Sequence, residues 1–417
     1  MPGARDPEVD TLDKVLKART AEGALGTLYE RLPEGKVRCV SCGHRCLIPD
    51  GRDGICRVRF NRGGTLFVPH GYVAGLQVDP IEKKPFFHAF PGANALSFGM
   101  LGCDFHCVYC QNWLTSQALR DSEAIAPPRD ISAEEIVAIG RRARTPVVVS
   151  TYNEPLITSE WAHEVFTLAK REGMTCGCVS NGYGTPEVVR YLRPVTDLFK
   201  VDLKSFRDKE YRRLGGTLEN VVATIRLLHE TGFWVEVVTL VVPGFNDSAE
   251  ELRDIARFLA SVSPDLPWHV TAFHADYKMS ENRDTSPRDL IRAATIGKEE
   301  GLRYVYAGNL PGMTDEFENT YCPGCNGLLI ARYGYRIGAF RLTEKGTCPE
   351  CGTAIAGYWG KDWKLPNGNG GLPGRCPRPV PVPAAPLVPP RQECKGKPST
   401  GEPGGAPFGD GPVPGHA

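Results

Sequence analysis

Three cysteines of this chain fall within one stretch of eight residues. Cys103, Cys107 and Cys110 follow the spacing C-x3-C-x2-C, and no fourth cysteine lies near them in the sequence. A four-iron cluster normally takes four cysteine ligands. With three, one iron keeps an open coordination position, which is the feature that separates catalytic metal sites from closed structural ones. The spacing therefore predicts a metal centre that binds a further ligand, with a zinc knuckle completed by His106 as the alternative.

A second set of cysteines lies nearer the amino terminus. Cys39, Cys42, Cys46 and Cys56 stand among Gly, Pro and Arg residues, a composition that supplies little hydrophobic core. Segments of this kind are commonly held together by a bound metal. Four thiolates suit zinc and an iron-sulfur cluster equally, and His44 could replace one of them. We expect a second metal site of one of these two kinds.

Two C-x2-C pairs follow towards the carboxyl terminus, Cys322 with Cys325 and Cys348 with Cys351. The residues between the pairs are rich in Leu, Ile and Tyr, and this pattern predicts a zinc ribbon. The ribbon also carries basic residues that could contact phosphate in a nucleic-acid-binding module. These residues are Arg332, Arg336, Arg341 and Lys345. Because they alternate with apolar residues, we expect them to form an ordinary solvated face.

Charge and composition exclude several classes of protein. The 417 residues include 49 basic and 49 acidic side chains, so no net charge favours nucleic acid or an anionic membrane. The 15 cysteines are grouped mainly as metal ligands, which indicates a reducing cytoplasm and not a disulfide framework. Neither a signal-peptide pattern nor an apolar run of about 18 residues is present. We expect a cytoplasmic protein with no membrane association.

Short apolar runs alternate with helical stretches through the middle of the chain. Such strands predict a parallel sheet buried on both faces, and the repeated βα unit predicts a barrel with functional residues at the carboxyl ends of its strands. Leucines and valines at helical spacing predict a helix within residues 12–32. Cys176 and Cys178 are expected to be buried, and Cys376 and Cys394 have no assigned role. The expected regions are an N-terminal helix and Cys-rich metal-binding segment (1–92), a barrel (93–312), a zinc-ribbon module (318–362) and a disordered Pro- and Gly-rich tail (363–417).

The motif C-x3-C-x2-C, with Tyr109 before its last cysteine, resembles the cluster-binding motif of the radical S-adenosylmethionine (SAM) enzymes. The resemblance implies a 4Fe-4S cluster whose open iron is chelated by the amine and carboxylate of SAM, with Tyr109 beside the adenine. It also implies that reductive cleavage of SAM yields a 5'-deoxyadenosyl radical, which abstracts hydrogen from a substrate. The sequence indicates neither that substrate nor a residue that acts on it.

Further segments resemble one branch of that superfamily, the radical enzyme of the AmmeMemoRadiSam system, a homologue of pyruvate formate-lyase activating enzyme. The segments are 39–46, 80–85, 102–113, 151–155, 243–248 and the ribbon. The resemblance implies an α/β fold, a partial (βα)6 TIM-type barrel, with Memo-type and Ammecr-type partners and an electron donor such as flavodoxin or ferredoxin. The activase has Gly-Gly-Glu where this chain has Tyr152-Asn153-Glu154, so cofactor binding carries over better than activation of a glycyl radical enzyme. That activation, and a zinc-ribbon module binding nucleic acid or protein, are the alternative functions.

Polar residues follow the first strands of the predicted barrel. Asn153 and Glu154 come after the run at 147–149, where an amide and a carboxylate could bind the amino group of SAM. A plain helix start is the alternative. Ser180 and Asn181 follow the next run, and the matching turn approaches the cofactor in the activase branch. A tight turn without a ligand is the alternative there.

Three more strand ends carry candidate residues. Asp202 and Lys204 are neighbours at a strand end and match an Asp-Leu-Lys segment of the activating enzyme, although a structural ion pair would explain them equally well. His274 could hydrogen-bond the ribose of SAM or a substrate, and an ordinary satisfied histidine is its alternative. Asn309 follows the last run and is expected to line the substrate cavity.

Overall fold

Short antiparallel strands make up the first part of the structure, a computed structural model that describes residues 11–360. The helix predicted within residues 12–32 ends at Lys17, so the prediction is wrong beyond that point. Gly26 has a φ of 75°, which a right-handed helix excludes, and Thr20 already pairs with a later strand. The elements are α1 (Leu12–Lys17), β1 (Thr20–Glu22), β2 (Tyr29–Arg31), β3 (Val37–Cys39), β4 (Leu47–Ile48), β5 (Phe60–Arg62), β6 (Thr65–Pro69) and β7 (Tyr72–Val73).

An eight-stranded open sheet forms the centre of the fold. Seven of its strands are parallel neighbours, and β8 joins them as an antiparallel edge strand. Their residues are mostly buried on both faces, as the continuous apolar runs predicted. The strands of this part are β8 (Gly75–Pro80), β9 (Asn94–Gly99), β10 (Arg129–Asp130), β11 (Val147–Ser150), β12 (Thr175–Ser180), β13 (Leu198–Asp202), β14 (Trp234–Val241), β15 (Trp268–Ala272) and β16 (Val305–Gly308). Only β10 lies outside the sheet, where it pairs with β7.

Helices connect successive parallel strands, so six βα units are followed by a seventh strand, β16. Serine side chains begin several of them: Ser132, for example, accepts a hydrogen bond from the Glu135 backbone in a capping box. The helices are α2 (Trp113–Ser116), α3 (Ala133–Arg142), α4 (Ser159–Arg171), α5 (Pro186–Leu192), α6 (Asp208–Leu214), α7 (Leu218–Glu230), α8 (Ala249–Val262) and α9 (Pro287–Glu299). Short 3-10 helices lie at Pro33–Gly35, Ile81–Lys83, Pro155–Thr158, Tyr277–Met279 and Asp315–Glu318.

The ribbon segment forms a three-stranded antiparallel sheet of β17 (Thr320–Tyr321), β18 (Leu328–Tyr333) and β19 (Arg336–Phe340). A shared apolar cluster that includes Phe87, Tyr306 and Ile330 joins this sheet to the central eight-stranded sheet. Arg332 is buried there and donates hydrogen bonds to the Phe87 carbonyl (2.8 Å) and the Thr320 hydroxyl (2.7 Å). It is therefore inaccessible to a nucleic acid, which removes one member of the basic face.

Three further predictions concern the cysteines of β12, membrane-spanning helices and the Pro- and Gly-rich tail. Cys176 and Cys178 are fully buried, as expected. No helix within residues 11–360 is long and apolar enough to cross a membrane. The predicted tail, with Cys376 and Cys394, lies outside the described residues.

Candidate active site

A cavity of about 660 Å³ opens at the carboxyl ends of the parallel strands. Side chains from the cysteine loop and from five strand ends meet in it. The predicted residues that line it are Cys103, Cys107, Tyr109, Cys110, Asn153, Glu154, Ser180, Asn181, Asp202, Lys204, His274 and Asn309. Residues far apart in sequence converge because parallel strands bring all their carboxyl ends to one side of the sheet.

The loop of three cysteines follows β9 directly and is held against the N-terminal region. Gly102 has a φ of 93°, and a Cβ on it would lie 2.8 Å from Val58 Cγ1, so the close approach requires glycine. Burial raises the pKa of the Cys103 thiol and raises that of Cys107 to about 12. These thiols therefore stay protonated until a metal displaces the protons, which couples metal binding to proton release.

The zinc-knuckle alternative for this loop finds no support in the geometry. Within residues 11–360, the only group of three or more Cys, His, Asp or Glu ligand atoms lying within 4.8 Å of one another belongs to the ribbon. His106 is exposed and packs against Gly215. The three loop thiols thus border the cavity without closing on a single ion.

The side chain of Glu154 accepts several hydrogen bonds at the cavity wall. Its carboxylate accepts from the Ser180 hydroxyl (2.7 Å), the Asn181 backbone (2.8 Å) and the Leu156 backbone (3.0 Å). The bond from Leu156 caps the 3-10 helix, so Glu154 marks a helix start and also lines the cavity. Burial, and then the charge of Asp104, raise the pKa of Glu154 to about 8. A cation that binds in the cavity would stabilise the charged form of Glu154.

Sequence reasoning missed Asp104, which is part of the cysteine loop itself. It is fully buried, and its Oδ1 accepts a 2.7 Å hydrogen bond from the Asn181 side chain. Its Oδ2 has no partner among the described residues, and burial raises its pKa. The available signal was a carboxylate beside Cys103 in a loop that continues with the apolar Phe105.

The peptide before Glu154 is held in a strained conformation. Tyr152 has a φ of 70°, which is rare for a residue with a bulky side chain. Its hydroxyl donates to Asp79 (3.0 Å), while Asn153 Oδ1 accepts from the Met100 backbone (2.9 Å). These bonds hold Tyr152 at its positive φ. The activase has a glycine at the corresponding position. The neighbouring Gly99 has no room for a side chain, since its Cβ would lie 2.2 Å from the Thr151 carbonyl oxygen.

Charged residues form the next part of the wall, as the ion-pair alternative predicted. Asp202 pairs with Lys204 (3.3 Å) and also with Lys200 on the same strand. Burial opposes the charge of Asp202, but the two lysines outweigh it and lower its pKa. Asn246, from the 243–248 segment, is not among the residues that line the cavity, and its side-chain amide donates to the Lys204 carbonyl at 2.7 Å. The pair is both a structural ion pair and part of the cavity surface.

The aromatic residue of the motif, Tyr109, is buried at the cavity wall. Its ring packs against Phe245 with a centroid separation of 5.2 Å. Its hydroxyl has no hydrogen-bond partner among the described residues. A buried phenol without a partner fits a wall that is completed by a ligand.

Two histidines differ in their setting. His274 is exposed at the rim, beyond the end of β15. His269, which sequence reasoning did not select, is buried within β15, lines the cavity and bonds Glu236 at 2.7 Å. Glu236 also accepts from the backbones of Phe87 and His88, both at 2.9 Å, so this pair supports the wall from below.

The 80–85 segment supplies a second set of wall residues that had no assigned role. Glu82 and Lys84 are buried beside the cavity, and Lys84 pairs with Asp79 at 2.9 Å. Burial raises the pKa of Glu82 to about 7 and lowers that of Lys84 to about 8. Groups that titrate near neutrality, inside a cavity, are typical of functional sites.

The N-terminal cysteines lie directly behind the active-site loop. Three of them are buried, and Cys46 is partly exposed. Burial, followed by the charges of Asp104 and the neighbouring thiolates, raises the pKa of Cys42. The Nε2 atom of His44 contacts the Asp104 carbonyl (3.2 Å), and its ring packs on Tyr183.

The ribbon cysteines form the tightest ligand group. The Sγ atoms of Cys322 and Cys351 are 3.5 Å apart, and those of Cys325 and Cys348 are 3.6 Å apart. A hydrogen bond from Thr353 lowers the pKa of Cys351 to about 6, which favours the thiolate that a metal requires. This geometry suits a single tetrahedral ion.

Comparison with known proteins identifies the family. Residues 99–259 match the radical SAM superfamily. An uncharacterised protein of Methanocaldococcus jannaschii is 39% identical over 330 residues, which cover 78% of this chain and 97% of the relative. The chain belongs to the radical SAM superfamily. Pyruvate formate-lyase 1-activating enzyme of Escherichia coli is 26% identical over 52% of this chain and 90% of its own length.

Among solved structures, a domain of the pyruvate-formate lyase-activating enzyme from Bacteroides vulgatus overlaps with a TM-score of 0.35. It is 20% identical and covers 39% of this chain and 98% of that domain, an overlap too low to support a functional comparison. Superfamily membership confirms the predicted α/β radical SAM fold and implies a 4Fe-4S cluster, SAM and an electron donor. The unpartnered hydroxyl of Tyr109, which lines the cavity beside the three thiols, fits such a group.

Proposed function

We propose that this radical SAM protein reductively cleaves SAM and uses the resulting radical to abstract hydrogen from a substrate bound in the cavity. The observation that carries the proposal is the meeting, in one cavity, of three thiols without a fourth and a buried carboxyl group with spare acceptor capacity. A bound cluster and SAM would supply the electron transfer and the carbon radical. The residues of the chain bind, orient and shield them.

Cys103, Cys107 and Cys110 would hold three irons and leave one open. Ser116 supports this arrangement because its hydroxyl contacts Cys110 Sγ at 3.1 Å, and a hydrogen bond to a ligating sulfur tunes the cluster. Tyr109, buried next to them, would flank the adenine.

Glu154 would bind the amino group of SAM, with Asn153 fixing the backbone that presents it. Among the described residues, Glu154 Oε2 accepts a single hydrogen bond, from Asn181, and so can accept another. An ammonium group would relieve the cost of a buried carboxylate beside Asp104. Ser180 and Asn181 hold the carboxylate in place, so they act as positioning residues.

Asp202 and Lys204 would face the remaining polar part of SAM, and His274 would reach the ribose or the substrate from the rim. The inner wall, with Lys84, Lys200 and Asn309, favours a polar substrate. Apolar side chains around the strands keep water from a radical formed there.

The wider assignments rest on the resemblance to the AmmeMemoRadiSam enzyme. They are Memo-type and Ammecr-type partners, flavodoxin or ferredoxin as electron donor, zinc in the ribbon and a cytoplasmic location. Activation of a glycyl radical enzyme is the second candidate function, favoured by the 26% identity to the activating enzyme of Escherichia coli.

Anaerobic reconstitution with iron and sulfide, followed by dithionite and SAM, tests the proposal. We expect 5'-deoxyadenosine from the wild-type chain and none from a Cys103→Ala, Cys107→Ala, Cys110→Ala variant. A fully loaded wild-type chain that forms no 5'-deoxyadenosine would refute the proposal. Transfer of deuterium from a labelled small molecule or from a partner's glycine then separates the two candidate functions.

A further inference from the structure

We propose that Cys39, Cys42, Cys46 and Cys56 bind a second 4Fe-4S cluster, placed to pass electrons to the cluster of the active site. The metal site stands on its own geometry. The electron relay rests, in addition, on the proposed function.

The spread of the four sulfurs favours a cluster over a single zinc ion. Four thiolates on one zinc lie about 3.8 Å apart, since each Zn–S bond is about 2.3 Å in a tetrahedron. The ribbon cysteines meet this requirement, with all four sulfurs within 4.8 Å of one another. Within residues 11–360 the N-terminal cysteines form no such group. Their loops are nevertheless in contact, since the Cys39 backbone donates to the Cys46 carbonyl at 2.9 Å and a Cβ on Gly54, two residues before Cys56, would lie 3.7 Å from Cys46 Sγ. A cubane binds each thiolate to a different iron and so accommodates a wider set.

A buried cation completes this site. Arg59 is 1% exposed, and its guanidinium bonds the Glu160 carboxylate through two 2.7 Å contacts. Its Nε is buried without a hydrogen-bond partner in the described part of the chain. Arg59 follows Cys56 by three residues, and its carbonyl accepts a 2.8 Å hydrogen bond from the backbone of Gly54, where an added Cβ would lie 3.7 Å from Cys46 Sγ. A cluster with four thiolates is anionic, so an adjacent buried arginine with a free donor suits it.

Direct contacts join this site to the active-site loop. One guanidinium, that of Arg120, donates to the Cys103 carbonyl and to the Ile55 carbonyl, both at 2.7 Å. Ile55 precedes Cys56, so the two cysteine loops are held by a single side chain. On the same side, a Cβ on Gly102 would lie 3.4 Å from the Cys56 carbonyl oxygen. The two cysteine loops are therefore in direct contact.

The relay moves one electron and no atoms. A low-potential donor protein of the ferredoxin or flavodoxin class is oxidised by one electron, and the N-terminal cluster is reduced by it. That cluster is then reoxidised as the active-site cluster is reduced. Partial exposure of Cys46 gives the donor access to the N-terminal cluster.

Iron, sulfide and zinc analysis after anaerobic reconstitution tests the metal site. The full-length wild-type chain should hold about eight irons and one zinc, four irons per cluster. The Cys103→Ala, Cys107→Ala, Cys110→Ala variant should keep about four irons. A Cys42→Ala, Cys46→Ala variant should lose about four irons. A matched control, Cys176→Ala, removes a buried cysteine outside both groups and should keep about eight.

A triple variant that holds no iron but two zinc ions per chain would overturn the metal site. This result needs no SAM cleavage, so it is independent of the proposed function and of whether the Cys42→Ala, Cys46→Ala variant folds. Electron paramagnetic resonance of the reduced chains tests the relay. We expect the wild-type spectrum to show magnetic interaction between the clusters, whereas a spectrum equal to the sum of the two variants' spectra would overturn it.

Discussion

Replacing Glu154 with glutamine is expected to weaken SAM binding roughly 10- to 100-fold while the cluster still loads. The wild-type carboxylate accepts three hydrogen bonds, from Ser180, Asn181 and Leu156. Glutamine has the same shape but only one accepting oxygen, so its amide nitrogen would face a donor. A hydrogen bond to a charged group contributes about 1.5–3 kcal/mol. Because about 1.4 kcal/mol corresponds to a factor of ten, loss of the bond to the SAM ammonium gives this range.

The same carboxyl group predicts how binding depends on pH. Burial and Asp104 raise the pKa of Glu154 to about 8, so the free protein holds this proton at neutral pH. SAM favours the carboxylate, and its binding should release the proton. The affinity of the wild-type chain for SAM should therefore rise with pH up to about pH 8. In the Glu154→Gln variant, which has no proton to release at this position, this rise should be absent.

Anaerobic calorimetric titration with SAM measures both effects, with iron content checked for each variant. Glu164→Gln makes the same chemical change on the surface, where Glu164 pairs with His70 at 2.8 Å, and should leave SAM affinity unchanged. Equal affinity and equal pH dependence in wild type and Glu154→Gln, at equal iron content, would refute the assigned role of Glu154.

Three further outcomes are expected. Gly99→Ala should destabilise the chain by about 1–3 kcal/mol or more in urea unfolding, because its Cβ would lie 2.2 Å from the Thr151 carbonyl oxygen; a loss under about 1 kcal/mol would contradict the close packing. Burial lowers the pKa of His88 to about 4, below its unfolded value of 6.5, so its contribution to stability is present above pH 6.5 and is lost towards pH 4. That loss should reach about 3 kcal/mol, and unfolding free energies that stay level between pH 7 and 4.5 would count against it. Cys325→Ala should lower bound zinc by about one ion per chain and leave iron unchanged, and retained zinc would argue against the ribbon site.

Much of the fold could be predicted because its signals are local. Each parallel strand was marked by a continuous apolar run, which only a sheet buried on both faces explains. The N-terminal helix was predicted too long because its leucines also suit short strands, and pairing of Thr20 with Pro69 is a contact that no local pattern reveals. Superfamily membership was indicated by the spacing of Cys103, Cys107 and Cys110, since metal ligands close in sequence must also be close in space.

The working parts of the site were harder to predict. Asp104, His269 and Lys84 have no distinctive spacing, and they matter through burial and through partners on other elements. The choice between a ligand and a structural role for Glu154 could not be made locally, because its three hydrogen bonds come from two separate segments.

The sequence by itself determined which functional groups and elements the chain contains: three groups of thiols, a run of βα units and polar residues at strand ends. Only the tertiary structure decided which thiols lie within reach of a single ion, as in the ribbon, and which thiols within residues 11–360 do not. It also decided that Arg120 ties Cys103 to the loop before Cys56. The physical reason is that ligand identity is a property of residue type, whereas sulfur spacing, burial and shared hydrogen bonds depend on chain segments that meet only when the sheet is complete.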